Sequence, residues 1–245
     1  MLEGLGNNIV KSVIYIIIVI VIIYYVYSSY QNFVVEEKNA PWLIEGTKQG
    51  TGGTRQVPGE LIPRSEDEQF GIEFSYSLWM FIDNNNVNYN TDRQKHVFHK
   101  GSSSGYPLQC PGVWLDNKIN TMYINFNTFS NMKETIQIDN LPMGKWFHVS
   151  IVVMNRFVDV YINGGLKNRY KLEGIIKQNY DDIWITNWGG FSGFLSKFRY
   201  FAYALPYWKI EQLMKDLPTQ APCVDSGAVP PYLSERYWLQ TGFPA

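Results

Sequence analysis

Cysteine is nearly absent from this sequence, with only Cys110 and Cys223 among 245 residues. These two thiols could pair, and the sequence leaves that open, but two cysteines do not make the disulfide framework of a small secreted scaffold. Any folded part of the chain must therefore be stabilised mainly by a hydrophobic core, for which the chain is long enough.

An excess of charge of one sign is also missing. The chain carries 21 basic and 22 acidic residues, so its net charge is −1. Domains that bind nucleic acid present a basic surface to the phosphate backbone, so no nucleic-acid partner is predicted. Asparagine is frequent, yet no Asn-x-Ser/Thr glycosylation acceptor occurs. Its absence argues against a heavily glycosylated secreted protein.

One long hydrophobic run contrasts with this balanced composition. Residues Ile9–Tyr27 read IVKSVIYIIIVIVIIYYVY, with Lys11 as the single charge. About 20 apolar residues are enough for a helix to cross the bilayer core, and tyrosines concentrate at the membrane interface. We therefore predict that residues 1–30 form a transmembrane anchor with the lipid bilayer as its partner. The residues expected to anchor the helix are Ile9, Ile16, Ile20, Ile23 and Tyr27.

The charges beside this run predict its orientation. Lys11 precedes the apolar core, while Glu36, Glu37 and Lys38 follow it. The positive-inside rule then favours an inside N-terminus, with the bulk of a single-pass membrane protein outside. A cleavable signal peptide is the alternative, but it would have a shorter apolar core and a better cleavage site than Ser28-Ser29.

Composition divides the rest of the chain into three regions. Gly, Thr and Pro dominate Glu45–Glu60 without an apolar period, so residues 31–69 are predicted to be a linker or extended arm. Residues 70–217 alternate between apolar and polar side chains and are predicted to be the folded domain. Residues 218–245 combine prolines with aromatic residues, and we expect this tail to pack on the domain or on a neighbour.

The alternation within the domain is clearest in two segments. Every second residue is apolar in Ile72–Ile82 and again in Trp146–Met154, which is typical of half-buried strands. Asn163-Gly164 tolerates the positive φ angles of a tight hairpin turn. Many short strands separated by turn signals predict a mainly β protein built as an antiparallel sandwich.

The second of these segments resembles a known family. Trp146-Phe-His-Val, an apolar strand, an Asn-Arg break and then Asp159-Val-Tyr-Ile-Asn-Gly resemble the centre of the concanavalin A-like lectin/glucanase superfamily. The laminin-G-like and pentraxin-like branches are the most similar. Gly193–Phe201 is similar to the late strand of laminin-G-like domains, which a short helix often follows. The resemblance implies a concanavalin A-like β-sandwich, or jelly roll, in which these strands are structural.

Carboxylate pairs suited to catalysis are missing. Glycosidases with this fold place acidic residues as Glu-x-Asp-x-Glu or Glu-x-Asp-x-x-Glu, so that alternate side chains share a cleft. Neither spacing occurs: Glu66–Glu68 is a contiguous acidic run, and Asp181 and Asp182 would face opposite ways on a strand. We predict that the protein is not an enzyme, and a divergent glycoside hydrolase is the remaining catalytic alternative.

Metal-binding patterns are also weak. His96 and His99 are three residues apart, so a regular strand would present them on opposite faces, and no metal site is predicted. Asp83, Asn84 and Asn86 offer oxygen ligands of the kind calcium prefers, although an Asn-rich loop can equally be a plain turn. No cofactor is predicted, with calcium as the alternative.

Aromatic residues on outward positions are the better indication of a binding site, because sugar rings and protein partners both pack against such side chains. Together with the acidic and Asn-rich loop at residues 83–90, they form the predicted ligand-binding set. Its members are Trp79, Asp83, Asn84, Asn86, Tyr161, Trp184 and Trp188.

The predicted function is a non-catalytic, membrane-anchored binding or structural role, in which the sandwich docks a membrane to neighbouring structural proteins. The Ile-, Asn- and Tyr-rich composition and the missing glycan acceptors suggest a minor capsid or virion membrane protein of a large DNA virus. A cell-surface lectin that binds glycans through the loops Asp83–Asn90 and Gly101–Gly105 is the alternative.

Overall fold

The computed structural model describes residues 2–65, 67–68 and 71–219. This part of the chain contains the helices α1 (Leu2–Asn39) and α2 (Tyr207–Lys215) and two 3-10 helices, Gly59–Leu61 and Asn84–Asn88. The strands are β1 (Trp42–Gln49), β2 (Arg55–Val57), β3 (Asp67–Glu68), β4 (Gly71–Ile82), β5 (Lys95–Gly101), β6 (Gln109–Leu115), β7 (Thr121–Phe126), β8 (Glu134–Asp139), β9 (Trp146–Met154), β10 (Phe157–Ile162), β11 (Gly165–Lys171), β12 (Ile183–Ile185) and β13 (Gly193–Phe201).

Helix α1 contains the predicted membrane anchor. Its stretch from Lys11 to Gln31 is long and apolar enough to cross a membrane, and none of it is buried within the protein. The anchor residues predicted from the sequence all lie on this helix, and four of them, Ile16, Ile20, Ile23 and Tyr27, are 58 to 62 % exposed. Such exposure distinguishes α1 from the core helix of a soluble protein. A signal sequence would meet the same criteria of length and composition.

Two antiparallel sheets form the sandwich. The seven-stranded sheet has the order β1-β13-β4-β9-β10-β11, with β3 paired to β4. The six-stranded sheet has the order β2-β12-β5-β6-β7-β8. Each sheet joins a run of consecutive strands, β9-β10-β11 or β5-β6-β7-β8, to strands that are distant in sequence, such as β1 with β13 and β2 with β12. The two apolar faces are therefore completed only when the whole domain has folded.

The inner faces follow the predicted alternation. Tyr76, Leu78 and Met80 of β4 and Phe147 and Ile151 of β9 are at most 1 % exposed and belong to one continuous core. The predicted hairpin is also present, because the turn between β10 and β11 has positive φ angles of 49° and 73° at its Asn-Gly pair. The mainly β sandwich predicted from the sequence is therefore confirmed.

The predicted linker at residues 31–69 is wrong for most of its length. Strand β1 pairs with β13, and its residues Leu43 and Ile44 are fully buried. Strand β2 pairs with β12, so the folded domain begins at Ala40 rather than at residue 70. Most glycines of this region lie in and beside the turn between β1 and β2. At Gly50 a side chain is excluded, because a Cβ there would overlap the Phe191 carbonyl. Strand β2 has only three residues, and β1 has apolar side chains only at its first three positions, so neither shows an apolar period.

Helix α2 covers part of the outer face of the seven-stranded sheet. Val152 and Phe201 point away from the main core and form a second cluster with Leu205 and with Ile210 of α2. Beyond the helix, Thr219 donates its backbone N–H to Ser196 Oγ at 3.1 Å. The start of the predicted tail therefore packs on the same sheet. The remainder of the tail lies outside the described residues. It includes Cys223, whose pairing with Cys110 the sequence leaves open.

Candidate functional site

The outer face of the six-stranded sheet is built from two rows of side chains. Residues directly opposite each other on neighbouring strands point to the same side of a sheet. Ile183 and Ile185 face the core, so Trp184 between them points outward. One row is Gln56, Trp184, His99, Gly112, Asn125 and Thr135. The other row is His96, Trp114, Tyr123 and Gln137.

Four aromatic residues on this face, Trp114, Tyr123, Trp184 and Trp188, form what we call the aromatic platform. Each is partly exposed. Trp188 comes from the loop after β12 and stacks on Trp114, with ring centroids 5.5 Å apart and planes 15° apart. It also stacks on His99 at 5.6 Å and 14°. The platform thus offers flat apolar rings beside the polar side chains of the two rows.

Two histidines beneath the platform contradict the expectation that they lie on opposite faces. The pairing of β5 with β6 shifts register between His96 and Phe98, and this irregularity turns both histidines outward. The backbone N–H of Asn187 donates to His96 Nδ1 at 2.9 Å, and the two imidazoles share a hydrogen bond of 2.7 Å. His99 Nε2 lies 2.9 Å from the Ser102 carbonyl. A carbonyl only accepts, so His99 Nε2 carries a proton, and His96 Nε2–H donates to His99 Nδ1.

Burial keeps this histidine pair neutral. It lowers the pKa of His96 well below its usual value, and the neighbouring His99 lowers it further. Burial also lowers the pKa of His99, against the opposing effect of its hydrogen bond to Ser102. A second proton on either ring would place two N–H groups against each other. The neutral pair therefore connects the loop that carries Trp188 to strand β5.

Two further contacts fix the orientation of the platform rings. Gln109 Oε1 accepts the indole N–H of Trp114 at 3.0 Å and the side-chain amide of Asn125 at 3.3 Å. Gly105, at φ 71°, lies so close to Trp188 that a Cβ there would overlap the indole ring. A rigid aromatic surface loses little conformational entropy on binding, so this arrangement suits recognition of a flat apolar ligand surface.

A comparison with protein families agrees with this fold. Residues 49–210 match the family model described as the concanavalin A-like lectin/glucanases superfamily. The chain belongs to this superfamily. The match includes β2 and all later strands, and therefore both rows of the outer face. A search of the curated proteins finds no match.

Solved structures with the same lectin-like fold include receptor-binding domains of botulinum neurotoxins. That of the C/D mosaic serotype is 16 % identical with a TM-score of 0.53, covering 73 % of this chain and 47 % of the other. The serotype D ligand-binding domain, in complex with N-acetylneuraminic acid, is 16 % identical with a TM-score of 0.53. It covers 69 % of this chain and 41 % of the other. The chain thus spans less than half the length of these structures, and the likeness is one of fold.

The predicted aromatic residues of this lectin-like domain separate into two places. Trp184 and Trp188 both belong to the platform. Trp79 lies on the opposite outer face, is 9 % exposed, and donates its indole N–H to the carbonyl of Asp216 just after α2. Tyr161 packs beside Tyr207 of α2, with ring centroids 6.5 Å apart. Helix α2 therefore covers the two predicted residues that do not reach the platform.

The predicted polar residues after β4 contact their own loop and the loops beside it. Asp83 Oδ1 accepts the backbone N–H of Asn85 at 2.8 Å. Asn86 is 5 % exposed and accepts the backbone N–H of Ser192 at 3.0 Å. Asn84 is exposed and lies against Gly144. Within the described chain, no group of three or more His, Cys, Asp or Glu residues could hold a metal ion.

Several residues that build this site were missed from the sequence. Trp114 lies between the core residues Val113 and Leu115, so the alternation alone would have placed it outward. The histidine pair had no such signal, because the irregularity in β5 reverses the expected faces. Gln109 had none either, because its contacts with Trp114 and Asn125 depend on the pairing of β6 with β7.

Proposed function

We propose that this chain is a single-pass membrane protein whose lectin-like domain binds carbohydrate on the aromatic platform. The observation that carries the proposal is the stacked pair of Trp114 and Trp188 beside Trp184 on a face that no described helix covers. The apolar faces of sugar rings pack on such side chains. Sugar hydroxyls then pair with neighbouring polar groups, here Gln56 and Gln137, which are exposed on the same face.

The solved structures support this proposal at the level of binding class. Receptor-binding domains share the fold, and one was determined with N-acetylneuraminic acid. Fold alone does not fix a ligand. The sugar class recognised here therefore follows from the platform itself, which favours a ligand with an exposed apolar ring face.

The proposed role is non-catalytic. Asp159 is 1 % exposed and forms an ion pair with Arg169 on the helix-covered sheet, at 2.6 Å. Asp182 accepts hydrogen bonds from the backbone of Gly59 and the side chain of Gln56. Hydrolysis of a glycoside needs two carboxylates that converge on one bond. Asp159 lies in β10 of the seven-stranded sheet, whereas Asp182 precedes β12 of the six-stranded sheet, and both are already paired.

A glycan array tests the carbohydrate proposal. The full chain in phosphatidylcholine nanodiscs is expected to bind a restricted set of glycans. Trp184→Ala should weaken that binding at least about tenfold, because central aromatic residues dominate such interfaces. Trp208→Ala is the matched control, since Trp208 of α2 is 63 % exposed and lies outside the platform. Absence of binding, or equal losses in both variants, would overturn the proposal.

A second candidate is docking of the membrane to a neighbouring structural protein, such as a coat protein of a large DNA virus. It is favoured by three exposed apolar residues, Phe129, Met132 and Ile175, which are 73, 58 and 45 % exposed. Phe129 N–H donates to the Ile175 carbonyl at 3.0 Å, so two of them are neighbours. Exposed apolar patches often mark protein interfaces.

Cross-linking in the membranes that contain the full chain tests this candidate. A docking partner should give a defined cross-linked species that Phe129→Ser abolishes. Ile119→Ser is the control, because Ile119 is also exposed, at 56 %, and lies in the turn between β6 and β7. A cross-linked species that is unaffected by Phe129→Ser, or none at all, would eliminate this patch as the docking surface.

A further inference from the structure

A cavity of about 300 Å³ lies between the two sheets, beneath the segment that follows β2. Three aromatic rings form its floor: Phe74 and Tyr76 of β4 and Tyr200 of β13. The Tyr76 and Tyr200 centroids are 5.1 Å apart, and the Phe74 and Tyr200 rings stack at 6.5 Å. An apolar cavity of about 150 Å³ holds one benzene molecule, so this one has room for a molecule of roughly twice that size.

Two polar groups in this cavity have no hydrogen-bond partner. Tyr76 is fully buried, and its hydroxyl has none. The side-chain N–H₂ of Gln178, which also lines the cavity, has none either. A buried donor without an acceptor destabilises a fold by roughly 1–3 kcal/mol, so such groups usually have a partner. Both groups can donate a hydrogen bond to a ligand that carries an acceptor.

The charges around the cavity favour an anion. Lys100 is 8 % exposed and donates to the carbonyl oxygens of Asn179 and Asp181 at 2.8 and 2.7 Å. These partners are neutral. Burial lowers the pKa of Lys100, against the raising effects of Cys110, Asp181 and Asp182, and neither of these two carboxylates is among the described lining residues. Arg64 at the rim lies 5.5 Å from the centre of the exposed Tyr180 ring. Among the described lining residues, Glu60 is the single carboxylate.

Covalent capture of a ligand is disfavoured. Cys110 is the one nucleophilic thiol among the described lining residues. Burial raises the pKa of this thiol to about 12, against a lowering effect of Lys100. A thiol in this state is almost entirely protonated at neutral pH, and the thiolate is the reactive form. The cavity is therefore suited to reversible binding.

We propose that this cavity binds a small organic acid with an aromatic or short aliphatic body. The carboxylate accepts hydrogen bonds from Tyr76 and Gln178, within the field of Lys100 and Arg64. The body packs on the rings of Phe74 and Tyr200. The site lies between the sheets, whereas the aromatic platform lies on an outer face, so this proposal does not depend on carbohydrate binding.

Calorimetric titration of the full chain in phosphatidylcholine nanodiscs tests the proposal, with 3-phenylpropanoate as the probe and empty nanodiscs as the blank. Saturable binding at one site is expected. The neutral analogue 3-phenylpropanamide should bind at least about tenfold more weakly, because hydrogen bonds to a charged acceptor are the stronger ones. No binding, or equal affinity for acid and amide, would overturn the proposal.

Variants locate the binding site. Tyr76→Phe and Gln178→Leu should each weaken binding of 3-phenylpropanoate by about tenfold. Tyr76→Phe removes an unpartnered hydroxyl, so the unfolding midpoint without ligand should not fall. Tyr170→Phe is the matched control, since its hydroxyl bonds to the Gln137 carbonyl away from the cavity. Unchanged affinity in both cavity variants, or loss on Trp184→Ala instead, would contradict the assignment.

Discussion

The two outer faces of the sandwich carry similar residues but differ in how far their tryptophans are buried. Each presents tryptophan and histidine on outward positions, Trp79 and His148 on one face and Trp114 and His96 on the other. Helix α2 covers the part of the first face that contains Trp79 and buries that side chain. No described helix covers the second, where the tryptophan rings are partly exposed. An outward aromatic residue is therefore buried where a helix packs over it and is available for binding where no helix does.

The largest expected effect is on the helix-covered face. Phe201→Ala should lower the free energy of unfolding by about 4 kcal/mol, because it empties the centre of the cluster beneath α2. Trp184→Ala on the uncovered face should lower it by no more than about 2 kcal/mol, since that ring is already partly hydrated. Denaturant unfolding of the full chain in detergent micelles measures both. Equal losses of unfolding free energy in the two variants would contradict the claim that the two faces differ in burial.

A pH titration gives the next largest effect. Burial lowers the pKa of His148 from 6.5 to about 4. Above pH 6.5 His148 is neutral in both the folded and the unfolded state, so its contribution to the free energy of unfolding does not change with pH. Between pH 6.5 and 4 the unfolded state takes up the proton first, and the free energy of unfolding should fall by about 3 kcal/mol as the pH falls.

His148→Gln serves as the comparison for this titration. It keeps a side chain that can bond to Ser77, which lies 2.8 Å from His148 Nε2, but removes the titrating group. Its unfolding free energy should depend less steeply on pH across the same range, as unfolding curves at stepped pH values can measure. A slope identical to that of the unsubstituted chain would assign the acid sensitivity elsewhere.

The histidine pair predicts a smaller effect confined to the platform. Because both pKa values are lowered below the usual value of about 6.5, the bond between the imidazoles should persist in mildly acidic solution. It should break, and loosen Trp188, only when the pH falls to those lowered pKa values. Nitrogen NMR of the histidine rings should find both protonated on Nε2 at neutral pH. Finding the proton on Nδ1 of either ring would contradict the hydrogen-bond chain from Asn187 to Ser102.

The smallest predicted effect comes from replacing glycines with alanine, and it distinguishes strain in the backbone from displacement of the Trp188 ring. Gly105 and Gly53 both have positive φ, 71° and 83°, but only a Cβ on Gly105 would meet a neighbour, the ring of Trp188. Each change to alanine should destabilise the domain by about 1 kcal/mol. Only Gly105→Ala should also weaken glycan binding and shift the tryptophan fluorescence. The same fluorescence shift from Gly53→Ala would mean that Gly105 does not position Trp188.

The sequence predicted the elements with a clear period and missed those that depend on distant partners. Strands β4 and β9 alternate along their whole length, so both were found. Strand β1 has only three apolar residues before its Gly and Thr, and its partner β13 is about 150 residues away. In the site, the alternation of inward and outward residues identified Trp184 as outward-facing. It identified Trp79 in the same way and could not show that α2 buries Trp79, because that contact depends on the tertiary structure.

Hydroxyl-radical footprinting tests the central claim most directly, using the full chain in nanodiscs with and without a glycan that it binds on the array. We expect the glycan to protect Trp184 and Trp188 from oxidation, while Trp208 reacts at the same rate in both samples. Protection of Trp208 or Phe129 instead, with the platform tryptophans unchanged, would contradict the claim that the uncovered face of the six-stranded sheet is the binding surface.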